Sequence, residues 1–155
     1  MAVLAASSAG VGLSQQRAAA VTPLSALDVQ DIQQLGARYA YGLDTAADNG
    51  YYYANVFTPD GSFGATQGRE NLAALAREGG GRLKFKGYYH VVSNFVVEAT
   101  ADGAKGHQYI QVITIGGHGK APMVDHGGRY EDVYARTAEG WRIKSRRYVQ
   151  MFPPQ

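Results

Sequence analysis

Four segments in the second half of the chain are rich in β-branched and aromatic residues, and this pattern constrains the fold most. They span residues 89–99, 106–115, 129–136 and 141–151. The short polar sequences at 101–104 and 137–140 separate the first and the last pair as hairpin turns do. Residues 116–128 are longer and rich in glycine, and we expect a loop there. The pattern predicts consecutive antiparallel strands.

The first half begins with helical periodicity. Ser25, followed three residues later by Asp28, predicts an N-cap with an acidic first turn. Apolar residues then recur at helical spacing, and they predict a first helix over residues 26–44. The run 45–50 is polar and should end it.

Shorter elements are expected between this helix and the strands. We predict a second helix over 51–57, stopped by the turn-forming sequence at 58–61, and a short strand over 62–65. A third helix is predicted over 68–78, ended by the three glycines at 79–81. Helices followed by hairpins indicate an α+β fold, in which a curved antiparallel sheet packs on N-terminal helices.

The leader, residues 1–23, is predicted to lie outside the domain, which takes residues 24–155. Its start is small and apolar, and three alanines at 18–20 resemble a cleavage site, although no basic region precedes them. The segment is either a signal remnant, which implies a periplasmic or secreted protein, or a leader without a targeting role, which implies a cytoplasmic one. The apolar stretch is too short for a membrane span, so no membrane partner is expected.

Composition excludes several functions. The length of 155 residues favours one domain, and the net charge of +2 without a basic run gives no reason to expect nucleic acid. The absence of cysteine excludes disulfides, thiolate metal sites and cysteine nucleophiles. No paired metal-ligand or phosphate-loop spacing occurs, so we expect neither a metal nor a nucleotide.

Tyrosine is unusually frequent, with eleven residues against five phenylalanines. A tyrosine offers an apolar ring and a polar tip, which suits the wall of a ligand pocket, although half-exposed sheets also favour it. We expect a substrate pocket lined by tyrosines and one histidine: Tyr41, Tyr53, Tyr89, Tyr130 and His126.

Asp44 and His90 are the candidates for proton transfer. Asp44 ends the predicted first helix, where the helix dipole disfavours a negative charge, although an aspartate also starts turns readily. His90 opens the first long strand and can exchange protons near neutral pH, although an isolated histidine is more often a hydrogen-bonded core residue. If Asp44 holds one ring nitrogen of His90, the other is left as a base.

The last strand offers an arginine to the pocket. Strand alternation from Trp141 and Ile143 places Arg147 on their face and Arg146 on the other. A single bulge would exchange the two, so the choice stays open.

Three stretches together resemble the SnoaL-like branch of the NTF2-like superfamily, over about residues 24–152. They are the helix end Tyr39–Asp44, the strand start His90–Phe95, and Tyr130–Tyr134 leading to the sequence at 140–143. The relatives most similar in pattern are scytalone dehydratase, the bile-acid 7α-dehydratase and the hexachlorocyclohexane dehydrochlorinase.

The resemblance implies a cone-shaped, barrel-like sheet, no cofactor and a homo-oligomer, with a trimer favoured over a dimer. It implies a lyase in which His90 takes a proton from carbon, oriented by Asp44. Tyr39 would then donate a hydrogen bond, and Arg146 would steady negative charge. The substrate would be small, hydrophobic, and aromatic or polycyclic. A dehydratase or a formaldehyde-releasing lyase, a ketosteroid-isomerase-like isomerase and a non-enzymatic ligand-binding module all remain open.

Overall fold

The computed structural model describes residues 21–115 and 121–152, without the side chains of 80–86 and 152. The helices are α1 (Ala26–Thr45), a 3-10 turn (Ala47–Gly50), α2 (Tyr51–Ala54) and α3 (Arg69–Lys86). The strands are β1 (Phe57–Phe63), β2 (Thr66–Gln67), β3 (Tyr88–Thr100), β4 (Gly103–Thr114), β5 (Met123–Thr137) and β6 (Gly140–Phe152). The predicted α+β class is confirmed. The leader up to residue 20 and the first five residues of the predicted glycine-rich loop, 116–120, lie outside the described residues. The loop prediction is wrong over residues 123–128, because they pair with β4 and begin β5.

The described strands form one curved, open sheet in the order β2-β1-β6-β5-β4-β3. The strands β3 to β6 follow one another as antiparallel neighbours, as predicted. The expectation of a wholly antiparallel sheet is wrong, because β1 pairs with β6 in parallel. Parallel neighbours need a long connection between them, and here α3 and the four strands β2 to β5 supply it. The sheet does not close into the barrel that the resemblance implied.

The start of α1 matches its prediction. The Ser25 side chain accepts from the backbone N–H of Asp28, and the Asp28 carboxylate accepts from the backbone N–H of Ser25, which completes a capping box. Asp28 also accepts from the indole N–H of Trp141 at 3.0 Å and pairs with Arg136. The cap therefore connects the first turn of α1 to the end of the sheet at which β5 turns into β6.

Two sequences that were predicted to stop a helix lie inside a strand or a helix instead. Residues 58–61 lie inside β1, where five steps from Phe57 to Ser62 face two steps on β6, so the turn sequence forms a bulge. The glycines at 79–81 lie inside α3, because glycine weakens a helix by about 1 kcal/mol per residue without blocking it. Gly87, with φ of +65°, follows the helix instead. The second helix is also shorter than predicted and ends at Ala54.

Helices α1 and α3 cover the inner face of the sheet, and the core lies between these layers. Ile32 and Leu35 of α1 and Leu72 of α3 are buried there against Ile110 and Ile143 of the sheet. Toward the end of α1 the two layers leave a cavity between them.

Candidate active site

A cavity with two adjoining chambers lies between the helices and the inner face of the sheet. The outer chamber has a volume of about 700 Å³ and the inner one about 160 Å³. The two chambers share four of their lining residues, which are Leu43, His90, Val112 and His126. The inner chamber is otherwise mostly aromatic, with Tyr39, Phe63, Tyr130 and Tyr148 in its wall. Such an apolar cavity with a few polar groups is typical of a small-molecule site.

Asp44 and His90 meet at the wall of this cavity. Asp44 Oδ1 lies 2.5 Å from His90 Nδ1, and Asp44 Oδ2 accepts from the backbone N–H of His90 at 3.0 Å. The His90 side chain is 9% exposed and that of Asp44 is 18% exposed. The last turn of α1 carries the carboxylate and the start of β3 carries the ring. The two oxygens therefore hold both the backbone and the ring of His90.

This contact fixes which nitrogen of His90 is available for chemistry. A carboxylate only accepts hydrogen bonds, so the neutral imidazole carries its proton on Nδ1 and leaves the lone pair on Nε2. Among the described residues, none makes a hydrogen bond to Nε2. The geometry thus provides a base at the cavity wall with its ring orientation fixed, whereas the catalytic role of the pair stays a prediction.

Two phenols form the polar part of the inner chamber. The Tyr39 hydroxyl donates to the Tyr130 hydroxyl at 3.2 Å, and both side chains are buried. Burial raises the pKa of both phenols well above the ordinary value, because a phenolate would lose its hydration. Both therefore stay neutral at physiological pH. The Tyr130 proton is then free to be donated to a ligand.

Arg146 is the inward arginine, so the choice of Arg147 by strand alternation is wrong. Val133 pairs with Ser145 but Tyr134 pairs with Ile143, which leaves Lys144 as an extra residue on β6. This bulge shifts the alternation by one position. The Arg147 side chain accordingly lies on the outer face of the sheet and pairs with Glu131.

Arg146 lies behind the phenols rather than among the residues that line the two chambers. Its Nε and Nη2 each donate to Asp132 at 2.8 Å, and neither side chain is exposed to solvent. The guanidinium carbon lies 4.1 Å from the ring centre of Tyr39 and 4.4 Å from that of Tyr130. Arg146 therefore lines neither chamber, and its expected effect on negative charge in the cavity stays a prediction. Arg146 contacts the faces of the two phenol rings through cation–π interactions, and these rings separate its charge from the inner chamber.

His126 lies in the cavity wall, as predicted, and it has a carboxylate partner that the sequence did not indicate. His126 Nδ1 lies 2.7 Å from Asp125 Oδ2, and both residues line the outer chamber. The Tyr148 ring contacts His126 edge-on at 6.3 Å between ring centres.

Three of the predicted pocket tyrosines lie elsewhere. Tyr41 is exposed on the outer side of α1 and contacts the Tyr52 ring edge-on. Tyr53 is buried behind Tyr39 and lines neither chamber. Tyr89 is partly exposed on the opposite face of the sheet, because the inward position of His90 turns its strand neighbours outward.

Two tyrosines of the wall were missed. Alternation from His90 would have found Tyr88, whereas the inward position of Tyr148 depends on the bulge of β6. Tyr88 lies two residues before His90 and lines the outer chamber. Tyr148 lies two residues after Arg146 and lines the inner chamber, where its hydroxyl is buried and has no hydrogen-bond partner among the described residues.

A second depression, of about 800 Å³, lies on the outer face of the sheet. Charged side chains that pair with one another, such as Glu98 with Lys105 and Glu131 with Arg147, surround it. We assign the candidate site to the inner cavity, because there a histidine with a fixed tautomer meets an apolar chamber. Within the described residues, no group of three or more acidic or histidine side chains is arranged to hold a metal ion. None of the described helices is long and apolar enough to cross a membrane.

Comparison with known proteins agrees with this architecture. The family model described as the SnoaL-like domain matches residues 25–147. No curated protein matches the sequence significantly.

Solved structures match over most of the chain. An NTF2-like protein with a cystatin-like fold from Novosphingobium aromaticivorans is 23% identical, with a TM-score of 0.71 over 81% of this chain and 82% of its own. Aln2 from a Streptomyces species is 24% identical, with a TM-score of 0.70 over 83% and 94%. ActVI-ORFA from Streptomyces coelicolor is 22% identical, with a TM-score of 0.67 over 82% and 97%. These likenesses confirm the predicted NTF2-like fold.

Proposed function

Since this chain belongs to the SnoaL-like domain family, which includes polyketide cyclases and dehydratases, we propose that it is a cofactor-independent lyase. It removes a proton and a neighbouring leaving group from a small ring compound. The observation that carries the proposal is the contact of Asp44 with His90 at the wall of an apolar cavity. Such a pair supplies an oriented base, which carbon deprotonation by a side chain requires.

His90 acts as the general base. Its Nε2 takes a proton from the carbon next to a carbonyl group, and Asp44 stabilises the imidazolium that forms. A base positioned in this way contributes about 10²–10⁴-fold to the rate. The low exposure of the ring, 9%, limits competition by water for the same nitrogen.

The phenol pair acts on the carbonyl oxygen. As the carbon loses its proton, negative charge develops on this oxygen, and the Tyr130 hydroxyl is placed to donate to it. Tyr39 donates to Tyr130, and Arg146 lies against both rings, so each contact favours charge on the acceptor. The enolate then expels the leaving group from the adjacent carbon, and a carbon–carbon double bond forms.

The cavity defines the substrate class. Aromatic and aliphatic side chains dominate the inner chamber, and the polar atoms there are hydroxyls and imidazole nitrogens. An aromatic or polycyclic ketone buries its rings against this wall while its oxygen reaches the phenols. A β-hydroxy ketone fits this chemistry because it carries both the acidic carbon and the leaving group.

The test uses 4-hydroxy-2-tetralone, a two-ring β-hydroxy ketone that loses water to become 2-naphthol. Appearance of 2-naphthol above the buffer rate, measured by fluorescence and mass spectrometry, is the expected result. His90→Ala and Asp44→Asn should each lose most of this turnover. His107→Ala is the matched control, because His107 lies on the outer face of the sheet and should leave turnover unchanged.

Three other results contradict the proposal. A product of unchanged mass would indicate an isomerase. Binding of the ketone without turnover, retained in His90→Ala, would indicate a ligand-binding module. Turnover that survives both His90→Ala and Asp44→Asn would show that the pair is only polar lining.

A further inference from the structure

The cavity contains a second histidine–carboxylate pair, two strands away from the first on the same face of the sheet. His126 Nδ1 and Asp125 Oδ2 are 2.7 Å apart, and both residues line the outer chamber. As in the first pair, the carboxylate faces Nδ1 and leaves Nε2 without a hydrogen bond from any described residue. We propose that His126 is the general acid that protonates the leaving group, and that Asp125 positions it. The inference rests on the proposed lyase function and adds a second catalytic residue to the site.

A β-bulge builds this pair. Val112 of β4 faces His126, but the next residue, Ile113, faces Val124, so Asp125 is an extra residue on β5. In a regular strand, neighbouring side chains point to opposite faces, and Asp125 would lie outside the cavity. The bulge brings both side chains to one side, which is the known use of bulges beside active sites.

The strand register places the two histidines in one row. His90 of β3 pairs with Val112 of β4, and Val112 pairs with His126 of β5. Two strand spacings separate the backbones by about 10 Å. The side chain between them is a buried valine, and both histidines line both chambers. One small ring system lying over Val112 would therefore touch both imidazoles.

The two environments suit different roles. The His90 side chain is almost enclosed, whereas that of His126 is 37% exposed. An acid must regain a proton from solvent after every turnover, which favours the exposed position. The edge-on contact with Tyr148 keeps the His126 ring in place meanwhile.

Neutral His90 takes the proton from the α-carbon, and the pair of electrons left behind forms the double bond. The β-carbon–oxygen bond breaks with its electrons on oxygen, and protonated His126 gives its Nε2 proton to that oxygen, so water leaves. His90 ends protonated and His126 neutral. His90 then releases its proton to solvent, and His126 regains one from solvent, which restores both starting states.

The experiment separates the base from the acid with three compounds. 2-Tetralone has no leaving group, and exchange of its α-hydrogens in D₂O, followed by mass spectrometry, requires only the base. 4-Hydroxy-2-tetralone requires both groups. Its 4-acetoxy ester requires the base alone, because acetate departs without a proton.

His126→Gln should lower dehydration of the hydroxy ketone by about 10-fold or more. It should leave exchange of 2-tetralone and elimination of acetate at wild-type rates. Asp125→Asn should show the same pattern more weakly, and this selectivity is what a merely structural role would not produce. His107→Gln is the control for loss of an imidazole away from the cavity.

Two outcomes overturn the inference. Unchanged dehydration in His126→Gln would show that His90 serves as base and acid in turn. Equal loss with all three compounds would show that His126 only binds substrate or supports the fold, and the thermal unfolding midpoint distinguishes these two. If the wild-type protein does not exchange 2-tetralone at all, the lyase proposal itself fails, and this inference fails with it.

Discussion

Asp132→Asn tests the role of the buried charges most severely. Asp132 and Arg146 are both fully buried, and the carboxylate accepts two bonds from the guanidinium. It also accepts from the Tyr134 hydroxyl at 2.6 Å. In the variant, the amide N–H₂ group replaces one of the acceptor oxygens and meets the N–H or O–H donors of Arg146 or Tyr134, so a hydrogen bond is lost. The guanidinium also loses its counter-charge. Burial lowers the pKa of Arg146, but the Asp132 carboxylate more than offsets this, so the pKa lies above its ordinary value.

The expected cost follows from this burial. Removal of one partner of a buried ion pair costs about 3–5 kcal/mol. For a chain of this length, 1 kcal/mol shifts the unfolding midpoint by about 2–4 °C. We therefore expect the free energy of unfolding to fall by about 4 kcal/mol and the midpoint by about 12 °C. Urea denaturation and thermal unfolding, both followed by circular dichroism, measure the two quantities.

The next residue pair along the same two strands is the control. Glu131 faces Arg147 across β5 and β6, one position from Asp132 and Arg146, but on the solvent side of the sheet. Arg147→Gln should cost less than about 1 kcal/mol. The combination Asp132→Leu with Arg146→Met should recover much of the loss of Asp132→Asn. A cost below about 1 kcal/mol for Asp132→Asn would refute the assignment of a buried, tightly paired Arg146.

Three further predictions concern stability and assembly. Hydrogen bonds from Trp141 and Ser25 lower the pKa of Asp28 below its ordinary value, so its stabilising effect is complete above about pH 4 and disappears at lower pH. Asp28→Asn should therefore flatten the decline of stability in acid, measured by urea denaturation at several pH values. Gly42→Ala places a methyl group 2.9 Å from the Tyr53 backbone and should cost about 1–3 kcal/mol. We retain the trimer as a proposal: sedimentation equilibrium should give three times the chain mass of 16.6 kDa, and a single chain mass would contradict it.

The fold was predictable where local signals and packing agree. Ser25 and Asp28 form the predicted cap because both act through bonds within three residues. The prediction that the glycines at 79–81 end the third helix was wrong. The helix propensity of glycine is only slightly unfavourable, and the packing of α3 on the rest of the protein determines where the helix ends. The turn sequence at 58–61 is irregular, as predicted, but it forms a bulge inside β1. The residues before and after it, Phe57 and Ser62, both pair with β6.

The candidate site depends on contacts that no local pattern contains. Asp44 and His90 are 46 residues apart, and the family resemblance, not periodicity, suggested that they meet. Bulges at Lys144 and Asp125 decide which side chains face inward. A bulge has no distinct composition in this sequence, so alternation chose Arg147 over Arg146 and gave no reason to pair Asp125 with His126.

Deuterium exchange of 2-tetralone tests the central claim most directly, because it depends on carbon deprotonation and on no leaving group. In Asp44→Asn, the amide N–H₂ would face His90 Nδ1, so that the ring would carry its proton on Nε2 and could not act as a base. We predict that the wild-type protein accelerates exchange and that Asp44→Asn and His90→Gln each lose about 10²-fold or more of that acceleration. Acceleration that survives in both variants would contradict the assignment of His90 as the base.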